Sequence, residues 1–60
     1  RQSTLDEIPG IGPTRKRALL DRFGTVKAIG RAALEDLVTV PGINAATAET
    51  IWGWFHQGEG

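Results

Sequence analysis

The apolar positions of this chain fall into two matching sets. Leu5, Ile8, Ile11, Leu19, Leu20 and Phe23 are followed, thirty-two positions on, by Leu37, Val40, Ile43, Ile51, Trp52 and Phe55. Pro9-Gly10 falls on Pro41-Gly42 in the same frame. This is the signature of a duplicated supersecondary unit. Each unit is too small to bury its own apolar face, so the two are expected to pack on each other. No segment alternates apolar and polar residues with the period of two that a strand needs. The spacings are helical, and the punctuation predicts five short helices.

Ser3 or Thr4 can cap the first helix, with Asp6 and Glu7 in its first turn, where the helix dipole favours acids. Pro9 disfavours helical geometry at Ile8 and ends it there. Gly10 supplies the positive φ of a tight reversal. Pro13 suits the first position of the next helix, which is expected to run to about Arg22, with Phe23-Gly24 closing it. Thr25 caps a connector helix from Val26 to about Ala32. Leu34 to Thr39 is a second short helix, Pro41-Gly42 a second reversal, and Asn44 the cap of a last helix from Ala45 to about His56. The tail Gln57-Gly58-Glu59-Gly60 is expected to fray. The fold class is therefore all-α with a pseudo-twofold relation. It is one domain over residues 1–60, with hairpin units 4–23 and 34–56, connector 25–32 and tail 57–60.

Ile11 and Ile43 stand in turns, where polar residues are usual. They are predicted to plug the gap between the helices of their hairpins. Trp52 and Phe55 match Leu20 and Phe23 and are predicted core residues. Trp54 matches Arg22, a predicted surface position. There it could stack on a base, cap the small core or meet another part of a larger protein. Gly53, inside the last helix, is a weak spot.

At 60 residues the chain is one small domain, and it has no cysteine and no methionine. No disulfide or thiolate metal site can support it, and His56 with scattered carboxylates makes no zinc site. It reads as a piece of a longer protein. No apolar run approaches the ~20 residues of a membrane span, and no signal peptide stands out. Formal net charge is zero, but its distribution is uneven. Residues 13–31 hold Arg15, Lys16, Arg17, Arg22, Lys27 and Arg31 against Asp21 alone. A basic middle is a local electrostatic footprint even when the total cancels, although such residues also furnish ordinary solvated helix faces.

The candidate chemistry lies in the turns. A glycine reversal running into a helix N-terminus leaves backbone N–H groups pointing outward, and these attract anions. Small residues allow a phosphate to approach the main chain. Arg15, Lys16 and Arg17 follow at once, in the first turns of the helix. Cations there oppose the dipole, which suggests an external anion that compensates. Three consecutive residues cannot all face one ligand. One or two are expected to reach phosphates, the other solvent or an acid. Thr14 and Thr47 can add hydroxyl donors to phosphate oxygens, or be plain first-turn residues. Lys27 and Arg31 share a face of the connector and either extend the basic patch or are simply solvated. No nucleophile–base pair or carboxylate cluster is present, so catalysis by this piece is not expected.

"LDEIPGIGPTRKRALLDRFGTVKAI" and "VPGINAATAETI" together resemble the tandem helix-hairpin-helix family, and within it the C-terminal domains of the UvrC type from bacterial nucleotide excision repair. The resemblance covers residues 4 to 56. It implies a compact, non-catalytic domain that binds DNA without base specificity, meeting phosphates across the minor groove. The expected sites are Gly10, Ile11 and Gly12 in the first loop with Thr14, Arg15, Lys16 and Arg17 behind it, and Gly42, Ile43 and Asn44 in the second loop with Ala46 and Thr47. Asn44 replaces the second loop's usual second glycine, and no base follows it. The first hairpin is therefore expected to dominate affinity. The implied partners are DNA (duplex, bubble or single/double-strand junction), the remainder of a parent excision nuclease and, through it, other repair subunits acting on DNA damage in the SOS response. The setting is the bacterial cytoplasm, with no membrane partner, no cofactor and a monomeric state. A protein-interaction or dimerisation module is the alternative.

Overall fold

A computed structural model describes residues 5–57. The cap expected from Ser3 or Thr4, the start of the first unit at residue 4, and Gly58–Gly60 of the tail lie outside the described residues. Among the described residues, four α-helices follow a single 3-10 turn, Leu5–Glu7: α1 Pro13–Phe23, α2 Val26–Arg31, α3 Leu34–Leu37 and α4 Ala45–His56. The first of the five expected helices is thus only the 3-10 turn. Its run is cut by Pro9, four residues beyond Leu5, which leaves no room for a full α-turn. The short helix expected to reach Thr39 ends at Leu37, and Thr39 instead donates its hydroxyl to the Asp36 carbonyl.

Local chemistry explains the other boundaries. Gly24 takes φ 92° and returns its N–H to the Leu20 carbonyl, closing α1. The Thr25 hydroxyl accepts from the Ala28 amide at 3.0 Å and opens α2. The Asn44 side chain does the same for the Thr47 amide at 2.8 Å and opens α4. Gly12 opens α1 with no side-chain cap, and Pro13 at the first helical position has no N–H to satisfy.

The core is Leu5, Ile8, Ile11, Leu19, Ile29, Leu37, Val40, Ile43, Ala48 and Ile51, all buried. Four matched pairs of the repeat meet there: Leu5 with Leu37, Ile8 with Val40, Ile11 with Ile43, and Leu19 with Ile51. Both turn isoleucines are the plugs their setting predicts. The 3-10 turn packs on α1, α3 packs on α4, and α2 packs on both long helices.

The frame fails at one place. Trp52, expected in the core, is exposed and stacks on His56, with ring centroids 3.9 Å apart. Trp54, expected at the surface, is half-buried against the core. The cause is α2, which the repeat does not duplicate. α1 turns at Gly24 into α2, whereas α4 lies against α2 and offers it Phe55. The inward line of α4 becomes Ala48, Ile51 and Phe55 at i, i+3 and i+7, with Trp54 flanking it. The Trp54 indole N–H is buried with no acceptor among the described residues.

Phe55 also accounts for Gly30. A Cβ at Gly30 would stand 2.9 Å from Phe55 Cδ1 and 3.2 Å from its Cγ, whereas one at Gly53 would meet nothing within 4 Å. Two glycine-to-alanine changes in helix interiors are therefore expected to have opposite signs. Gly53→Ala gains about 0.4–1 kcal/mol from chain entropy and helix propensity. At Gly30 the same gain is outweighed by overpacking of roughly 1–3 kcal/mol against a ring that packs on the core. Urea midpoints of the two variants check this, and a higher midpoint for Gly30→Ala would contradict the packing.

Candidate nucleic-acid interface

The two loops are built alike, bond for bond. In the first, the Ile8 amide donates to the Leu5 carbonyl at 3.2 Å and the Ile11 amide to the Ile8 carbonyl at 3.3 Å. In the second, Val40 donates to Leu37 at 3.1 Å and Ile43 to Val40 at 3.0 Å. Between these bonds the chain passes through Gly10 at φ 82° and Gly42 at φ 84°, where a Cβ would be strained. The buried isoleucine side chains turn each loop's apolar side inward.

What remains faces outward. The next helical amides to find a backbone carbonyl are those of Lys16, bonded to Gly12, and Ala48, bonded to Asn44. Among the described residues, the amides of Gly10, Gly12, Thr14 and Arg15 have no acceptor, nor do those of Gly42, Asn44, Ala45 and Ala46. Each loop thus leads unpartnered donors onto a helix N-terminus, where the dipole adds partial positive charge. The second loop differs in one detail. The Asn44 side chain takes the Thr47 amide, whose first-unit counterpart at Arg15 stays free. Thr14 and Ala46 are exposed and Thr47 is half-buried.

The three bases all have partners within the domain. Lys16 Nζ donates to both carboxylate oxygens of Asp6 at 3.0 Å. Arg17 Nε reaches Asp21 Oδ1 at 3.2 Å, one helical turn on. Arg15 turns across to the other unit, where its Nε donates to the Gly42 carbonyl at 2.9 Å and its Nη1 to the Gly10 carbonyl at 3.0 Å. The expectation left only one base for an internal partner. Asp6 was missed because its partner lies ten residues away across the loop. The Arg15 bridge was missed because Thr47, its counterpart in the repeat, cannot make it. Lys27 and Arg31 line a surface groove of α2 with Phe23, Thr25, Ala28 and Asp36, and form no ion pair among the described residues. Arg22 lies over the Phe23 ring, 5.1 Å from its centre. Among the described residues, no group of three His, Asp or Glu could hold a metal ion, and no helix is long and apolar enough to cross a membrane.

Residues 3–52 match the family described as SAM-like helix-hairpin-helix tandem. The chain belongs to the tandem helix-hairpin-helix family. Its curated relatives include UvrABC system protein C of Rhodopseudomonas palustris strain BisB5, 60% identical over the whole chain. The protein of that name from Alcanivorax borkumensis is 53% identical over 95% of the chain, and that from Caulobacter vibrioides 53% over 97%. The chain spans 9% of the length of each of these relatives. No solved structure matches it significantly. The two hairpins of the tandem are the loops described above, joined by α2, and the second departs from the first in having Asn44 for Gly12 and no base behind it.

Proposed function

We propose that this domain binds DNA through the sugar–phosphate chain, without reading bases, and anchors a nucleotide excision repair nuclease in the bacterial cytoplasm. The observation that carries the reading is the repeated loop, with its two sets of unpartnered amides at helix N-termini. Phosphate oxygens satisfy such donors, and Lys16, Arg17 and the Thr14 hydroxyl stand close enough in sequence to add to the contact. The two loops would meet phosphates across the minor groove, at duplex, bubble or junction DNA. Among the described residues, no long exposed helix carries the Asn, Gln and Arg of a major-groove reader. The domain is proposed to be non-catalytic, with incision carried by other parts of the parent protein. An assay for strand cleavage with magnesium or manganese tests that point.

The binding test is the salt dependence of affinity for a labelled duplex carrying a single-stranded bubble. Each neutralised phosphate contributes about 0.7–0.9 to the slope of log K against log salt, so two or more contacts give a slope of about −1.5 or steeper. Amide signals of residues 10–16 and 42–47 are expected to move together on titration. A flat salt response, or silence in those signals, would remove the proposal.

A second reading has one observation in its favour. The exposed large apolar residues Leu34, Val38 and Trp52 all lie in the second unit. They suit contact with another protein surface, either a second copy or the rest of the parent. A stable dimer in sedimentation that ignores added DNA would favour this reading over the first.

A further inference from the structure

The geometry points to Arg15 as a positioning residue that holds the two hairpin loops in register, and not as a phosphate ligand. This rests on the reading that the loops bind DNA. Its guanidinium donates from Nε to the Gly42 carbonyl and from Nη1 to the Gly10 carbonyl. Those carbonyls belong to the two glycines that take φ 84° and 82° in the loops. Each lies on the peptide whose other end is the amide of Ile43 or Ile11, and those amides are already tied inward to Val40 and Ile8. Both pivot peptides are therefore held at both ends, inward by the core side of the loop and outward by one shared cation. The donors proposed to meet phosphate, on Gly12 and Thr14 and on Asn44 and Ala46, come directly after the pivots. Fixing the pivots fixes the spacing between the two donor sets, and rigid preorganisation of that kind lowers the ordering cost of binding.

The contact also explains an asymmetry. The second hairpin has no base of its own, yet a cation from the first is seated on it. A Cβ at Gly42 would stand 3.8 Å from Arg15 Cγ and 4.0 Å from its Nε, ordinary contact distances, so the glycine there is required by the turn, at φ 84°, and not by the seat. The expectation that the first hairpin dominates affinity is replaced by one in which the loops act as a coupled pair. Lysine is expected to be a poor substitute, because its donors radiate from one nitrogen, whereas the planar guanidinium reaches the two carbonyls from two nitrogens held in a fixed fork.

The test compares wild type, Arg15→Lys and Arg15→Ala by anisotropy with the bubble-containing duplex, at several salt concentrations. Charge-assisted hydrogen bonds of this kind predict an affinity loss of about tenfold. A positioning role predicts that both variants lose affinity alike and keep the wild-type salt slope. It also predicts that the carbonyl carbon signals of both Gly10 and Gly42 shift in the free protein, while the methyl signals of Leu19 and Ile51 stay in place. A purely structural loss would move those core signals instead. Should Arg15→Lys bind like wild type while Arg15→Ala loses about 0.7–0.9 of slope, Arg15 is a phosphate ligand and the proposal is overturned with the DNA-binding reading intact. If wild type itself does not bind, that reading fails and the positioning role falls with it.

Discussion

Truncating Ile51 to alanine is expected to leave the domain close to unfolding at 25 °C and to lower its melting temperature by roughly 10–30 °C. Ile51 is fully buried, and so is Leu19, its counterpart in the repeat. A large-to-small change at such a site costs about 2–5 kcal/mol, because the removed methyl groups lose their transfer energy and a cavity remains. A chain of 60 residues has on the order of 3–9 kcal/mol to lose. It has no cysteine, so no disulfide limits the unfolded state. Leu19→Ala is expected to give a loss of the same size. The two sites are related by the repeat, but neither long helix can compensate for the other, because their apolar faces form one shared core. Thermal melts followed by circular dichroism check both variants. A fall of only a few degrees for Ile51→Ala would mean that the site collapses around the gap, or that the two units do not share a core. Trp52→Ala is the internal comparison: the same helix and a larger side chain, but exposed, so the expected loss is small.

Much of this architecture was legible in the sequence wherever one residue's own chemistry decides the local conformation. Pro9, Gly10, Gly24, Thr25, Gly42 and Asn44 each act within four residues of themselves, and each bends, caps or ends a helix as its type requires. The thirty-two-residue frame added the core, since a repeated apolar spacing can be buried only by packing the copies together. The frame misled where the structure has a part without a copy. α2 lies against both long helices, and the end of α4 packs to suit it, so Trp52 and Trp54 exchange their expected places. The role of Gly30 is hidden from the sequence for the same reason, because its need for hydrogen in place of Cβ comes from Phe55, twenty-five residues away. The site was legible to the same degree. Its free amides follow from local turn geometry and were expected. The partners of its bases depend on tertiary distances, and so Asp6 beneath Lys16 and the Arg15 bridge to Gly42 emerge only from the fold.

Reversing Lys16 and Arg17 together to glutamate is expected to weaken DNA binding by on the order of 30- to 100-fold near 0.1 M salt, equally for every base sequence. Each cation lost from a phosphate removes about 0.7–0.9 from the salt slope, which at that salt concentration is about five- to eightfold apiece, and the two introduced carboxylates add repulsion. In the free domain both are occupied, Lys16 by Asp6 and Arg17 by Asp21. These pairs do not protect the cations from DNA. Their side chains are substantially exposed, at 38% and 69% for Lys16 and Asp6 and 79% and 67% for Arg17 and Asp21. Exposed pairs contribute only about 0–1 kcal/mol, and Arg17 precedes Asp21 in the less favourable order along the helix. A phosphate that releases counterions can therefore displace them. The same magnitudes give the reciprocal variant its sign. Asp6→Asn frees Lys16 and removes a negative charge beside the loop, so it is expected to raise affinity by up to about fivefold, with the fold intact by circular dichroism. An affinity unchanged or lowered in Asp6→Asn, with the double reversal still damaging, would place Arg17 at the phosphate and Lys16 away from it. Insensitivity to both variants would leave the amides without cationic support, and two hairpins' worth of neutral donors would then have to hold a polyanion alone, with a salt slope correspondingly shallow.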